Sequence, residues 1–325
     1  MKRMRNKFNI YTDLAVENKE RFQGDNVEIS GVKVYEKYDN KYLVNLTKVE
    51  IVSPEGANIM GKPIGKYVTI DALDIRENYC DDERKKQIGK ALARELYNML
   101  PVREKKAIKD VSVLIVGLGN KDVTPDSLGP YVIGDLEVNR HIFMMKSNHG
   151  KSKGISAMIP GVMAQSGMES AEMVEGIVRQ IKPDIVICID ALAAGSTKRL
   201  STTIQLADTG INPGAGIGNH RKGINEENLG IPVIAIGIPT VIHAATIVSD
   251  TMDELLKVLG EVSYIKENGG IEALQAFSDK EKHKLVRELL EPKFGDMFVT
   301  PKDIDESIRY MAQIVAYGIN TVFRG

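Results

Sequence analysis

Three short runs in the middle of the chain, VSVLIVGLGN, DIVICIDALAA and IPVIAIGIP, limit the possible fold more than any other feature. Each is a continuous apolar stretch rich in Val and Ile, which is how strands buried on both faces of a parallel sheet read. Between the first two lies SGMESAEMVEGIVRQIKP, an amphipathic helix closed by Pro183, and after the third comes AATIVSDTMDELLKVLG, another helix. Strands and helices that alternate in this way predict an α/β fold with an open, mostly parallel sheet and right-handed crossovers. The carboxyl ends of such strands form the ligand crevice.

The flanks extend this plan. GVKVYEKY, KYLVNLTKVEIV and KYVTIDALDI alternate polar and apolar residues, and they predict an N-terminal strand-rich elaboration over about 30–75. From Asp82 to Leu100 the pattern is helical, and Pro101 ends it. IEALQAFSDKEKHKLVRELL and DESIRYMAQIVAYGINTVF read as two further helices packed on the same body. With 325 residues the chain can bury a large core.

Several classes of function are disfavoured by charge and composition. The 43 basic and 44 acidic residues leave a formal net charge of −1, so no global field draws the chain to nucleic acid or an anionic membrane. No apolar run reaches the roughly 18 residues that span a bilayer. The leader MKRMRNKFN is basic but has no apolar segment behind it, so export is not expected, and Lys2, Arg3, Arg5 and Lys7 read as a solvated tail. Cys80 and Cys188 are far apart and lack zinc spacing, and Cys188, inside DIVICIDA, is expected to be a buried free thiol in an intracellular protein.

Unusual chemistry stands at the strand ends. In GLGNKDVTPDSLGP, Asp126 falls where the N-cap of the next helix is expected, and capping alone would account for it. The dinucleotide fingerprint G-x-G-x-x-G fails here, because Asp122 occupies the third glycine position. Asp190 follows five apolar residues, where an ionised carboxylate is costly unless solvated, paired or coordinated. Asp126 and Asp190 should project from neighbouring strands of one sheet. After IAIGIP come Thr240 and His243, the latter read as a helix-start histidine that is either hydrogen-bonded or a metal ligand. His141 has the same two readings, and His149, His220 and His283 read as solvated. The glycine-rich loop from Asp208 to Asn225 lacks a P-loop ending, and it reads as a peptide-binding rim with Arg221 and Lys222 available to acidic side chains.

GLGNKDVTPDSLGP, ICIDALAAGSTKRLSTTIQLADTGINPGAGIGNHRKGIN and GIPTVIHAATIVSDT together resemble the germination protease family of endospore-forming bacteria, over essentially the whole chain. The resemblance implies an atypical aspartic endopeptidase, with a fold similar to the hydrogenase maturation proteases (phosphorylase/hydrolase-like). It implies Asp126 and Asp190 as the catalytic pair, no cofactor, and small acid-soluble spore proteins as substrate in the cytoplasm of the spore core. A homotetramer is also implied. Asp190, behind the more apolar strand, is the member expected to hold a proton. In the alternative reading, a metal-dependent maturation hydrolase acting on a protein tail, Asp126, Asp190 and His243 hold the metal. Family substrates are cut at sequences like Thr-Glu-(Ile/Phe/Leu)-Ala-Ser-Glu, after the first acidic residue. TDLAVE, Thr12 to Glu17, resembles that site with Asp13 and Val16 as departures. The resemblance thus implies a zymogen in which residues 1–13 are a propeptide, Asp13–Leu14 is the cleaved bond, and 14–325 form one protease domain.

Overall fold

The computed structural model describes residues 12–20, 29–77, 81–101, 107–146, 153–212, 222–261 and 297–324. Strands β1 (Val32–Asp39), β2 (Val44–Ile51), β3 (Gly65–Asp71), β4 (Ser112–Gly117), β5 (Gly154–Met158), β6 (Ile185–Ala194), β7 (Thr203–Ala207), β8 (Val233–His243) and β9 (Phe298–Val299) join one sheet. Its order is β1-β2-β3-β7-β8-β6-β4-β5, with β9 paired to β8. The three apolar runs are β4, β6 and β8, and they lie side by side in parallel, with β5 parallel beyond β4.

The strand-rich segment is β1 to β3, an antiparallel meander. It forms no layer of its own: β7 pairs antiparallel with both β8 and β3, so the meander extends the same sheet. The α/β sheet is therefore mixed, with a parallel half and an antiparallel half. Short connections permit only antiparallel pairing, whereas the parallel strands are joined by longer crossovers.

Period-two alternation sorts the side chains onto two faces. On one, Ile115, Ile187, Ile189, Leu206 and Ile236 pack with helices Asp82–Met99 and Ile304–Phe323. Both helices are expected from the sequence. The first is capped by Asp81, whose Oδ1 accepts the Glu83 and Arg84 amides at 2.9 and 3.1 Å, and it buries Ile88, Leu92 and Leu96 at helical spacing. On the other face Leu114, Val116, Val186 and Cys188 pack under helix Ser170–Ile181. Asp190 and Gln205 belong to this second face, since Asp190 follows Cys188 by two residues and Gln205 lies between Ile204 and Leu206 of the first face.

Two strands run further than their sequence suggests. β4 ends at Gly117, one residue beside Val116 and opposite Ile189, but β6 continues to Ala194 and β8 to His243. Asp190 is thus inside β6, and it stands at an end only relative to β4. His243 closes β8 rather than opening a helix, and the helix Ala244–Glu261 follows it. Pro239, which donates no backbone hydrogen bond, is accommodated by a bulge: Leu192 faces Pro239 and Ala193 faces Val241, so Thr240 is the additional residue. The segment IEALQAFSDKEKHKLVRELL, expected to be helical, and the basic leader residues, Cys80, His149, His220, Arg221 and His283 lie outside the described residues.

Candidate active site

Asp126 sits in the turn Thr124–Asp126 between β4 and the helix Leu128–Gly134. Its side chain turns back rather than capping that helix: Oδ2 accepts the Asn120 amide at 2.9 Å, and the same amide reaches the Asp126 carbonyl at 3.0 Å. The close return requires Gly119, whose φ is +103° and where a Cβ would lie 2.0 Å from the Asp126 carbonyl oxygen. Thr240 ties the turn to β8, its hydroxyl donating to the Pro125 carbonyl at 2.6 Å. The β8 bulge thus positions the Asp126 turn.

Asp126, Asp190 and Thr240 line one cavity of about 760 Å³, together with Asp13, Lys62, Gln205 and Phe298. Asp190 Oδ1 accepts the Ala191 amide at 3.0 Å. Burial, followed by the negative charges of Asp126 and Asp13, pushes the Asp190 carboxyl well above its ordinary value. Burial also raises Asp126, and the Asn120 hydrogen bond partly offsets this. The two aspartates singled out in the sequence are therefore brought together, in a setting that favours a proton on Asp190.

The third carboxylate comes from the leader. Thr12 to Glu17 lies in the groove, with Leu14 and Ala15 at 0%, Val16 at 1% and Glu17 at 5% exposure. Leu14 and Val16 pack on Leu192, and Ala15 packs with Val49, Met60 and Tyr67. Beyond the level where β4 stops, Asp13 and Ala193 exchange hydrogen bonds: the Asp13 amide donates to the Ala193 carbonyl at 3.0 Å, and the Ala193 amide to Asp13 Oδ2 at 2.9 Å. The Asp13 carbonyl oxygen accepts from Lys62 Nζ at 2.9 Å and Gln205 Nε2 at 3.1 Å, while Gln205 Oε1 accepts the Ala15 amide at 2.7 Å. Glu17 accepts the Gly195 amide at 2.6 Å and the Thr12 hydroxyl, and it pairs with Arg199 at 3.7 Å. At Gly195 a Cβ would meet Glu17 Oε2 at 2.8 Å and Thr12 Cβ at 3.0 Å, so the leader passes close to the backbone there.

Other candidate residues lie elsewhere. Lys222 pairs with Glu175 at 2.6 Å and is not among the cavity residues. Leader acids and carbonyls instead meet Lys62, Gln205, Arg199 and the Ala193 and Gly195 amides, none of which was singled out from sequence. Gln205 left a faint signal as the polar residue in the buried strand TIQLA, whereas Lys62, in a surface loop, left none. His243 is not a cavity residue either: its Nδ1 accepts the Ala245 amide at 3.1 Å, and its ring stands edge-on to Phe298. Among the described residues no three His, Cys, Asp or Glu side chains are grouped to hold a metal ion. His141 is exposed, and Cys188 is a buried free thiol. No helix among the described residues is long and apolar enough to cross a membrane.

Comparison with known proteins gives a consistent answer. The family model described as Germination protease matches residues 10–274 and 265–325. A germination protease of Clostridium perfringens is 42% identical over 317 residues, covering 96% of this chain and 94% of that protein. That of Bacillus subtilis is 39% identical over 353 residues, covering 97% and 94%. The [NiFe] hydrogenase maturation protease HycI from Thermococcus kodakarensis is similar over 40% of this chain and 75% of its own, at 19% identity. Its TM-score of 0.26 is too low to bear on the fold.

Proposed function

This chain belongs to the germination protease family, and on that premise we propose that it is a self-processing endopeptidase in which Asp126 and Asp190 activate water. It acts first on its own Asp13–Leu14 bond and then on small acid-soluble spore proteins in the spore core. One observation carries this reading: Asp13 shares a cavity with both aspartates, while hydrogen bonds hold the backbone on either side of Asp13–Leu14. On this reading residues 1–13 are the propeptide and 14–325 the mature protease domain.

Carboxyls that line one cavity and raise one another's proton affinity can share a proton. Asp190, raised by burial and by two neighbouring negative charges, keeps it. Asp126 accepts a proton from water as the water oxygen bonds to the Asp13 carbonyl carbon and the carbonyl electron pair moves onto its oxygen. Collapse then breaks the Asp13–Leu14 bond, and Asp190 gives its proton to the Leu14 nitrogen. One water is consumed, and a carboxyl end at Asp13 and an amino end at Leu14 are formed. Proton transfer between the two aspartates resets the pair.

The metal-dependent alternative is less favoured, because His243, its third ligand, is turned to Ala245 and Phe298. Assembly into four copies belongs to the same proposal and is checked by light scattering. The deciding experiment incubates the purified full chain at mildly acidic pH with a small acid-soluble spore protein, with and without a chelator, and follows both by mass spectrometry. The expected result is a new amino terminus at Leu14 and cuts after acidic residues in the spore protein, insensitive to chelator and absent in Asp126→Asn and Asp190→Asn. A terminus elsewhere, or cleavage by either variant, overturns the reading.

A further inference from the structure

We propose that Lys62 and Gln205 form an oxyanion clamp, holding the carbonyl oxygen of the bond to be cut and stabilising its negative charge as water adds. This rests on reading Asp13–Leu14 as that bond. Lys62 Nζ and Gln205 Nε2 donate to the Asp13 carbonyl oxygen at 2.9 and 3.1 Å, so both donors already point at the atom on which negative charge develops. Gln205 also accepts the Ala15 amide at 2.7 Å, so its one amide group brackets the bond from both sides and fixes the orientation of the carbonyl.

The sheet explains how the clamp is set opposite the aspartates. Asp190 and Gln205 both face Gly237, one from β6 and the other from β7. At about 4.8 Å between strands, their backbones stand about 10 Å apart across a residue with no side chain. The Leu192 side chain covers Gly237, and the Asp13 carbonyl oxygen meets the amide donor on the β7 side.

Electrostatics make the clamp necessary. Asp190 holds its proton and Asp126 gains one as water adds, so neither offsets negative charge growing on the carbonyl oxygen, and the other acids lining the cavity, Asp13, Asp208, Glu226 and Glu227, offer no positive charge. Lys62 is the only cation among the described residues lining the cavity. A water-activating pair of carboxyls supplies no positive charge, and Lys62 supplies it at the atom where charge develops.

The test measures self-processing of the full chain as a single turnover, together with amide exchange at Asp13, which reports whether the leader is docked. Lys62→Met removes the ammonium and keeps most of the stem. Gln205→Glu keeps the acceptor for the Ala15 amide and loses the donor to the carbonyl. Each should slow conversion by about 100-fold or more, with the Asp13 amide as protected as in the parent chain, and Lys62→Arg should recover part of the loss. Conversion within about fivefold of the parent for both Lys62→Met and Gln205→Glu, or slowing that follows loss of Asp13 protection, overturns the clamp. If that happens while Asp126→Asn still stops conversion and the cut still falls after Asp13, the clamp alone is wrong. A cut elsewhere overturns the clamp together with the reading it rests on.

Discussion

Leu14→Ala, made in the Asp126→Asn chain, which is expected not to process itself, measures how firmly the leader is docked. Leu14 is fully buried, against Val16 and Leu192. Three carbons at about 0.8 kcal/mol each amount to about 2.5 kcal/mol of lost transfer free energy. A residual cavity moves the cost toward about 4 kcal/mol. Thr12–Glu17 rests on strands already paired with one another, so the loss should appear as undocking rather than global unfolding. At about 1.4 kcal/mol per factor of ten, the undocked population rises roughly 70-fold to roughly 1000-fold. Amide hydrogen exchange reads this directly. The Asp13 and Ala15 amides, which donate to the Ala193 carbonyl and to Gln205 Oε1, should accelerate by that factor. The Leu118 amide, which donates to the Ile189 carbonyl at 2.8 Å within the sheet, should not change. Unchanged exchange at Asp13 and Ala15 would mean that Leu14 does not hold the leader. Equal acceleration at Leu118 would mean that the leader unfolds only with the whole sheet.

Further expectations concern kinetics, pH and reactivity. Since each leader lies in its own chain's groove, conversion should be first order, with a rate constant unchanged over about a hundredfold range of protein concentration; a proportional rise would show cleavage between molecules. Asp190 is held above its ordinary 3.8, so the folded chain keeps a proton that the unfolded chain releases. The associated stability is full below that ordinary value and is lost as pH rises through the raised one. Asp190→Asn should therefore raise the thermal midpoint at neutral pH, and an unchanged midpoint would mean that the strain on this carboxyl is absent. Arg199→Ala should slow processing about tenfold or more by removing the Arg199 charge from buried Glu17, which densitometry of the two chain forms would show. Cys188, buried and with its thiol pushed up by desolvation, should resist a thiol reagent in the native chain and react only after unfolding.

The sequence alone determined the main strands and helices and marked two candidate acids. Continuous Val and Ile runs have no polar face, so β4, β6 and β8 were bound to be interior strands, and the spacing of Ile88, Leu92 and Leu96 bound that segment to be a helix with one buried face. A carboxylate after five apolar residues is costly unless solvated, paired or coordinated, which is why Asp190 is a candidate on sequence alone. Tertiary structure decided what meets those acids. That β7 would join the meander to the parallel strands follows from pairing between segments more than a hundred residues apart, Ile70 with Ile204 for instance, which no local period encodes. The same pairing sets Gln205 across Gly237 from Asp190, and a loop residue, Lys62, reaches the same point from a different part of the chain. Arg221 and Lys222 carry the right charge in a glycine-rich loop, yet Lys222 is taken up by Glu175, because proximity in space, not charge type, selects an ion's partner. The sheet's overhang beyond β4 likewise exists only once three strands of unequal length are in register, and it is this overhang that receives Asp13.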